Sequence, residues 1–69
     1  MNFVDKDGYR VSLKAFDGRR VAVETSSIDL EGRCEVWYDD DEGCYMIEIS
    51  DCGFYRYRED EIVSIRVID

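Results

Sequence analysis

The chain has 69 residues and a net charge of −8, from 17 acidic residues against nine basic ones. A domain of about 60 residues buries only about 60% of the surface of its unfolded chain, so we expect one domain with a small core. The acidic charge disfavours direct binding to nucleic acids or anionic membranes and favours a protein partner with a basic surface. We also expect no signal peptide and no membrane span, because no stretch approaches about 20 apolar residues.

Alternation of apolar and polar residues with a period of two predicts an all-β protein. The first two predicted strands are residues 9–16 and Arg20–Thr25. With a three-residue loop between them, Leu13 lies opposite Val23, and the apolar side chains of both strands share one face. Residues 26–32 form the longest predicted connection, with a short helical turn capped by a serine.

An acidic run followed by glycine, Asp39-Asp40-Asp41-Glu42-Gly43, predicts a hairpin between strands at residues 33–38 and 44–50. A four-residue loop, residues 40–43, places Asp39 opposite Cys44. The pairs that follow put apolar and aromatic side chains on one face: Tyr38 with Tyr45, Val36 with Ile47, and Cys34 with Ile49.

The next predicted hairpin joins residues 44–50 to a strand at residues 54–58 through a three-residue loop. Two further pairs follow from this register: Ile49 with Tyr55, and Ile47 with Tyr57. Both hairpins therefore place the same face of residues 44–50 inside the protein. This agreement is the strongest structural evidence in the sequence.

The last part of the chain predicts one short turn and one strand. Glu59–Glu61 is long enough for a single 3₁₀ turn. The strand after it, residues 62–68, would place Val63, Ile65 and Val67 on one side.

A three-stranded meander, one short turn and a closing strand resemble the small barrels of the SH3, Tudor and Sm types. The resemblance covers residues 9–68 and implies a five- to six-stranded antiparallel barrel, with residues 1–8 as an N-terminal extension. It is a resemblance of architecture only, because the Ala-Leu-Tyr-Asp-Tyr run of the SH3 peptide groove is absent.

The same registers predict the outer face of the meander. Trp37 and Met46 lie opposite each other there, where solvent is expected. The aliphatic chain of Arg58 could cover them, another part of the chain or a second copy could do so, or they form a partner-binding patch, since tryptophan is enriched at interface hot spots. Two rows of side chains cross this face: Glu35, Glu48 and Arg56, then Trp37, Met46 and Arg58.

Most acidic residues lie outside the predicted strands. The strands themselves contain only Glu24, Glu35 and Glu48. Loops that concentrate negative charge are typical of surfaces that meet a basic partner. Asp29 and Glu31 belong to one such loop in the predicted topology. The other candidate partner-binding residues of the loops are Asp39, Asp40, Asp41, Glu42, Glu59, Asp60 and Glu61.

The sequence argues against an enzyme. It contains no histidine to activate a serine or cysteine nucleophile. Neither Asp39–Gly43 nor Asp5-Lys6-Asp7-Gly8 has the spacing of a calcium-binding EF-hand loop, so we expect no metal and no cofactor. The odd set of Cys34, Cys44 and Cys52, with no Cys-x-x-Cys spacing, predicts reduced thiols in a cytoplasmic protein.

Three functions remain open from the sequence. The first is a small acidic, non-enzymatic interaction module, whose strongest form is an inhibitor that mimics nucleic-acid phosphates with its acidic loops. The second is a homo-oligomeric structural barrel that pairs through its edge strands. The third is a Tudor-like reader of a cationic or small ligand, with Tyr38, Tyr45, Tyr55 and Tyr57 as the aromatic groups. The registers place those four tyrosines on the core face, which favours packing as their role, although tyrosines at the mouth of a barrel could still be partly open.

Overall fold

The computed structural model describes residues 3–51 and 53–69. These residues contain two 3₁₀ turns, Leu13–Phe16 and Glu59–Glu61, and no α-helix, so the all-β class is confirmed. None of their helical turns is long and apolar enough to cross a membrane. The strands are β1 Phe3–Val4, β2 Arg10–Val11, β3 Arg20–Thr25, β4 Asp29–Asp39, β5 Cys44–Asp51, β6 Gly53–Arg58 and β7 Ile62–Val67.

Five of these strands form one antiparallel sheet in the order β6-β5-β4-β3-β7, and β1 pairs with β2 in a separate two-stranded sheet. Strand β4 changes partner along its length: Arg33 pairs with Arg20 of β3 and also with Ser50 of β5. Gly32 lies at this point, where a Cβ atom would collide with the carbonyl oxygen of Ser50. Within the described residues the sheet is not closed, and β6 and β7 form its edges.

The predicted registers of the meander are confirmed. Asp39 pairs with Cys44 and Val36 with Ile47, so the loop between β4 and β5 has four residues. Ile47 pairs in turn with Tyr57. The short turn predicted at Glu59–Glu61 is also confirmed.

The predicted first hairpin is wrong. Only Arg10–Val11 is a strand, and Leu13–Phe16 form a 3₁₀ turn. Side chains three residues apart lie on one side of such a turn, so Leu13 and Phe16 are both buried while Ala15 is exposed. The chain then runs along β4, where the Gly18 amide donates to the Cys34 carbonyl at 2.9 Å.

The helical turn predicted within residues 26–32 is also wrong. Asp29 already belongs to β4, and the connection from β3 has only three residues, 26–28. The buried Thr25 side chain organises it: its Oγ1 accepts the Ile28 amide at 3.0 Å and donates to the Ile28 carbonyl at 2.8 Å.

At the start of strand β7, the side chains face the opposite sides from those predicted. A register shift between Glu24 and Thr25 pairs Thr25 with Ile62 and Glu24 with Ser64. The shift turns Ile62 inward and leaves Val63 61% exposed. Ile65 is buried as predicted.

One hydrophobic cluster joins the sheet, the first 3₁₀ turn and the N-terminal residues. Phe3 of the predicted extension is 7% exposed and meets Phe16 edge-on, with ring centroids 6.5 Å apart. The first 3₁₀ turn contacts β4 and β5. The most deeply buried side chains of the cluster are Leu13, Phe16, Val21, Val23, Cys34, Ile47 and Ile49.

Candidate interaction surface at the acidic end of the sheet

Asp39 shapes the turn between β4 and β5. Its Oδ1 accepts the backbone amides of Asp41 at 2.9 Å and Glu42 at 3.0 Å. Gly43 closes the turn with a φ of 69°, a left-handed conformation that glycine adopts without strain. Asp39 therefore has a structural role, which side-chain bonding of aspartate to nearby amides explains.

Arg58 joins the two acidic segments that lie apart in the sequence. Its Nη1 lies 2.9 Å from the Oε2 of Glu42, and its Nε lies 3.4 Å from the Oδ1 of Asp60. The charges of Asp60 and Glu42 raise the pKa of Arg58. Residues 39–42 and Glu59–Glu61 thus form one surface, which we call the acidic end.

The second acidic segment is held by backbone amides. Glu61 Oε1 accepts the Arg58 amide at 2.9 Å, and Glu59 Oε1 accepts the Tyr45 amide at 3.2 Å. Both carboxylates are therefore fixed relative to the ends of β5 and β6. Asp40 and Asp41 differ from them, because both are exposed and neither forms an ion pair within the described part of the chain.

Charge is strongly concentrated at this end. The acidic end contains seven carboxylates, and the Arg58 guanidinium beside it contacts two of them, Glu42 and Asp60. Asp29 and Glu31 do not join them, because they lie in the opposite half of β4. The longer strands also change the predicted separation of acids from strands, since β4 includes Asp29, Glu31 and Asp39, and β5 includes Asp51.

The face with Trp37 and Met46 is partly covered, and Arg56 is one residue that contributes to the cover. Trp37 and Met46 pair directly and are both half-buried. The guanidinium carbon of Arg56 lies 5.3 Å from the centroid of the Trp37 ring. The guanidinium of Arg58 binds Glu42 and Asp60.

Glu35 and Glu48 are opposite each other as predicted, and Arg56 offsets their repulsion. Its Nη2 lies 2.9 Å from the Oε2 of Glu48. Glu35 is exposed. This face is therefore a salt-bridged surface in which Glu48 already has a partner and Glu35 remains accessible.

The tyrosines of the meander are more open than the prediction of core packing required. Tyr45 and Tyr57 pack against the hydrophobic cluster, as expected. Tyr38 is 53% exposed and Tyr55 is 38% exposed, so core packing is wrong for these two, and their exposure agrees with the partly open alternative. Their alternation is correct, but the layer that covers Val36 does not extend as far as Tyr38.

Sequence reasoning missed Phe54 on the edge strand β6. It is 77% exposed and pairs with Ser50. The register predicted from the sequence already placed it on the outer face, so the signal was present.

The described residues include two thiols and no cluster of metal ligands. They contain no group of three or more side chains that could hold a metal ion. Cys34 and Cys44 are free thiols, and Cys52 lies outside the described residues. Burial raises the pKa of Cys34 to about 11, which keeps this thiol neutral.

No protein-family model, curated protein or solved structure matches this chain. The chemistry of the surface is therefore the basis for a functional proposal.

Proposed function

We propose that the protein is a small acidic, non-enzymatic interaction module that binds a basic surface of a partner protein through its acidic end. The observation that carries the proposal is the pair of contacts by which Arg58 brings Glu42 and Asp60 together. Two separate acidic segments thereby present their charge as one surface.

The acidic end suits electrostatic recognition. Asp40 and Asp41 are exposed, so a partner's lysine or arginine can reach them without breaking an ion pair of the described residues. Complementary charge speeds association and selects partners, and salt screens it beyond about 8–10 Å at physiological ionic strength. In its strongest form the proposal makes the protein an inhibitor whose carboxylates occupy the phosphate-binding surface of a nucleic-acid-binding partner.

Affinity capture from the native host tests the proposal. The wild-type protein and the variant Asp40→Asn/Asp41→Asn are immobilised, and retained proteins are eluted with a salt gradient. We expect the wild type to retain a basic protein that elutes at moderate salt and that the variant releases earlier.

A matched control variant separates the effect of the acidic end from the effect of the net charge of the protein. The variant Asp7→Asn/Asp51→Asn loses the same two charges at exposed positions outside the acidic end. It should retain the partner like the wild type. Equal retention by all three proteins, or equal loss in both variants, would show that the acidic end is not the binding surface. Competition by nucleic acid for the captured partner then tests the mimicry.

We also propose that the domain is a small barrel of the SH3-like type. Three features support this: β7 lies next to β3, a 3₁₀ turn separates β6 from β7, and β4 pairs with β3 and β5 in succession. Methyl NOEs between Ile47 and Ile65, both in the hydrophobic cluster, would indicate that the sheet wraps around one core. Their absence would indicate a more open sheet.

A homo-oligomeric structural role is the second candidate, and the edges of the sheet favour it. Strand β6 has an unpaired edge in the described structure and carries Phe54, which is 77% exposed. Unprotected edge strands can pair with another copy. Light scattering at millimolar concentration decides this: a mass above that of one chain, reduced by Phe54→Lys, supports it, and a monomer excludes it.

The proposal includes a cytoplasmic location. The free thiols of Cys34 and Cys44 suit a reducing compartment. Fractionation of the native host with an antibody against the protein tests this directly.

A further inference from the structure

Tyr38 and Tyr45 form an open aromatic corner beside the acidic end. They are directly paired across β4 and β5, and their rings are nearly perpendicular at 85°, with centroids 5.3 Å apart. Tyr45 packs against the hydrophobic cluster, whereas Tyr38 is 53% exposed. The Tyr45 ring is therefore held by the core, and the Tyr38 ring, nearly perpendicular to it, is partly exposed to solvent.

Packing explains why the corner is open. The row below it, Val36 and Ile47, is buried at 5% and 0% exposure. The next pair along the strands, Asp39 and Cys44, faces the opposite side of the sheet and adjoins the turn. The Tyr38–Tyr45 pair is therefore the last pair on the core face before the turn, and both of its members are aromatic.

Acidic residues lie at two places next to the corner. The loop of residues 40–43 begins two residues after Tyr38, beyond the Asp39–Cys44 pair. Glu59 Oε1 accepts the Tyr45 amide at 3.2 Å, which holds a carboxylate beside the backbone of this tyrosine. A cation is attracted by the face of an aromatic ring and by carboxylates, whereas an apolar or anionic group is not favoured among these charges.

The opposite face of the same strands contains a cation that is bound by both an aromatic ring and a carboxylate. Arg56 lies 5.3 Å above the ring of Trp37 and donates to Glu48 at 2.9 Å. A planar guanidinium can stack on a ring and still direct its N–H groups to carboxylates, which an ammonium cannot do as well. The chain therefore already contains one arginine bound between an aromatic ring and a carboxylate.

We infer that Tyr38 and Tyr45 form the docking site for an arginine side chain of the basic partner, with the carboxylates of the acidic end accepting its N–H groups. This inference rests on the proposed function and specifies the residue type that the partner presents. The contact of Arg56 with Trp37 and Glu48 in this protein is the precedent for the proposed contact.

A titration with short peptides tests the inference. The probe is acetyl-Gly-Arg-Gly-Arg-Gly-amide, and the comparison peptides carry lysine or trimethyl-lysine in place of arginine. Chemical shifts of the intact protein are followed at low salt. We expect the arginine peptide to bind tightest and to perturb the ring protons of Tyr38 and Tyr45.

Two substitutions give the decisive comparison. Tyr38→Ala should weaken binding of the arginine peptide by about 3- to 30-fold, the range for a cation on an aromatic ring. Tyr38→Phe keeps the ring and should bind nearly as well. Tyr9→Ala removes a tyrosine that is even more exposed, at 71%, and lies outside the acidic end, so it should change nothing.

The outcomes separate this inference from the proposed function. If Tyr38→Ala binds like the wild type while Asp40→Asn/Asp41→Asn loses affinity, the arginine site is excluded and the acidic interaction surface remains. Tighter binding of the lysine or trimethyl-lysine peptide also overturns the assignment to arginine. If the aspartate variant keeps full affinity for both the peptide and the captured partner, the proposed function fails. Spectra of each free variant confirm that the fold is retained.

Discussion

Arg58 and Glu42 meet at 2.9 Å although one ends β6 and the other lies in the turn between β4 and β5. The same guanidinium lies 3.4 Å from Asp60 in the second 3₁₀ turn. The pairing of β5 with β6 brings Arg58 within reach of the turn. The register of these strands therefore determines that the two acidic segments form one surface.

Replacement of Arg58 tests this link. Arg58→Met should increase the mobility of residues 40–43 and lower the thermal midpoint, because Glu42 and Asp60 then repel each other. The loss should shrink in 0.5 M salt, where the repulsion is screened. Relaxation of backbone amides and thermal unfolding measure the two effects. Arg33→Met is the control, since exposed Arg33 forms no ion pair within the described residues.

Gly32 permits the close approach of β4 and β5. A methyl group there collides with the carbonyl oxygen of Ser50, so the backbone has to shift. We expect Gly32→Ala to lower the free energy of unfolding by about 1–3 kcal/mol, the usual cost of overpacking. Gly53→Ala is the control, because its nearest neighbour would be 3.8 Å away. Urea unfolding that gives equal stability for both variants would contradict this explanation.

Asp17 fixes β4 from the end of the first 3₁₀ turn. Its Oδ1 accepts the Val36 amide at 2.8 Å. Asp17→Ala leaves this amide without its acceptor and should cost about 1–3 kcal/mol of unfolding free energy. Asp17→Asn keeps an acceptor oxygen and should recover most of that loss. If the two variants are equally unstable, the charge of Asp17 matters more than the hydrogen bond.

The buried thiol of Cys34 predicts a pH dependence. Its pKa is raised to about 11 in the folded protein, whereas the thiol of an unfolded chain ionises near 9. The stabilisation is complete below pH 9 and is lost as the pH rises towards 11, at about 1.4 kcal/mol per pH unit. Cys34→Ala should remove this part of the decline. Urea midpoints of both proteins at pH 8 and pH 10 measure the difference, and parallel declines would contradict the prediction.

The part of the fold that the sequence predicted correctly is the pairing of strands that follow each other directly in the chain. The pairing of Val36 with Ile47 follows from the loop length and from the alternation on both sides of it. The Leu13–Phe16 segment was mispredicted because Leu13 fits a period of two as well as a spacing of three. Burial against β4 and β5 decides between them, and that contact is not local in sequence.

The candidate site was only partly predictable for the same reason. The acids of residues 39–42 and of Glu59–Glu61 were evident, but their meeting depends on a contact through Arg58. The exposure of Tyr38 was missed because alternation assigns a face without telling how far the covering layer reaches.

The most direct test of the acidic end as the binding surface is amide chemical-shift mapping of the protein with its salt-eluted partner. We predict that broadening and shifts concentrate at residues 39–43 and Glu59–Glu61 and weaken as salt rises. Changes confined to the Trp37 and Met46 face or to the β6 edge, and insensitive to salt, would contradict the proposal.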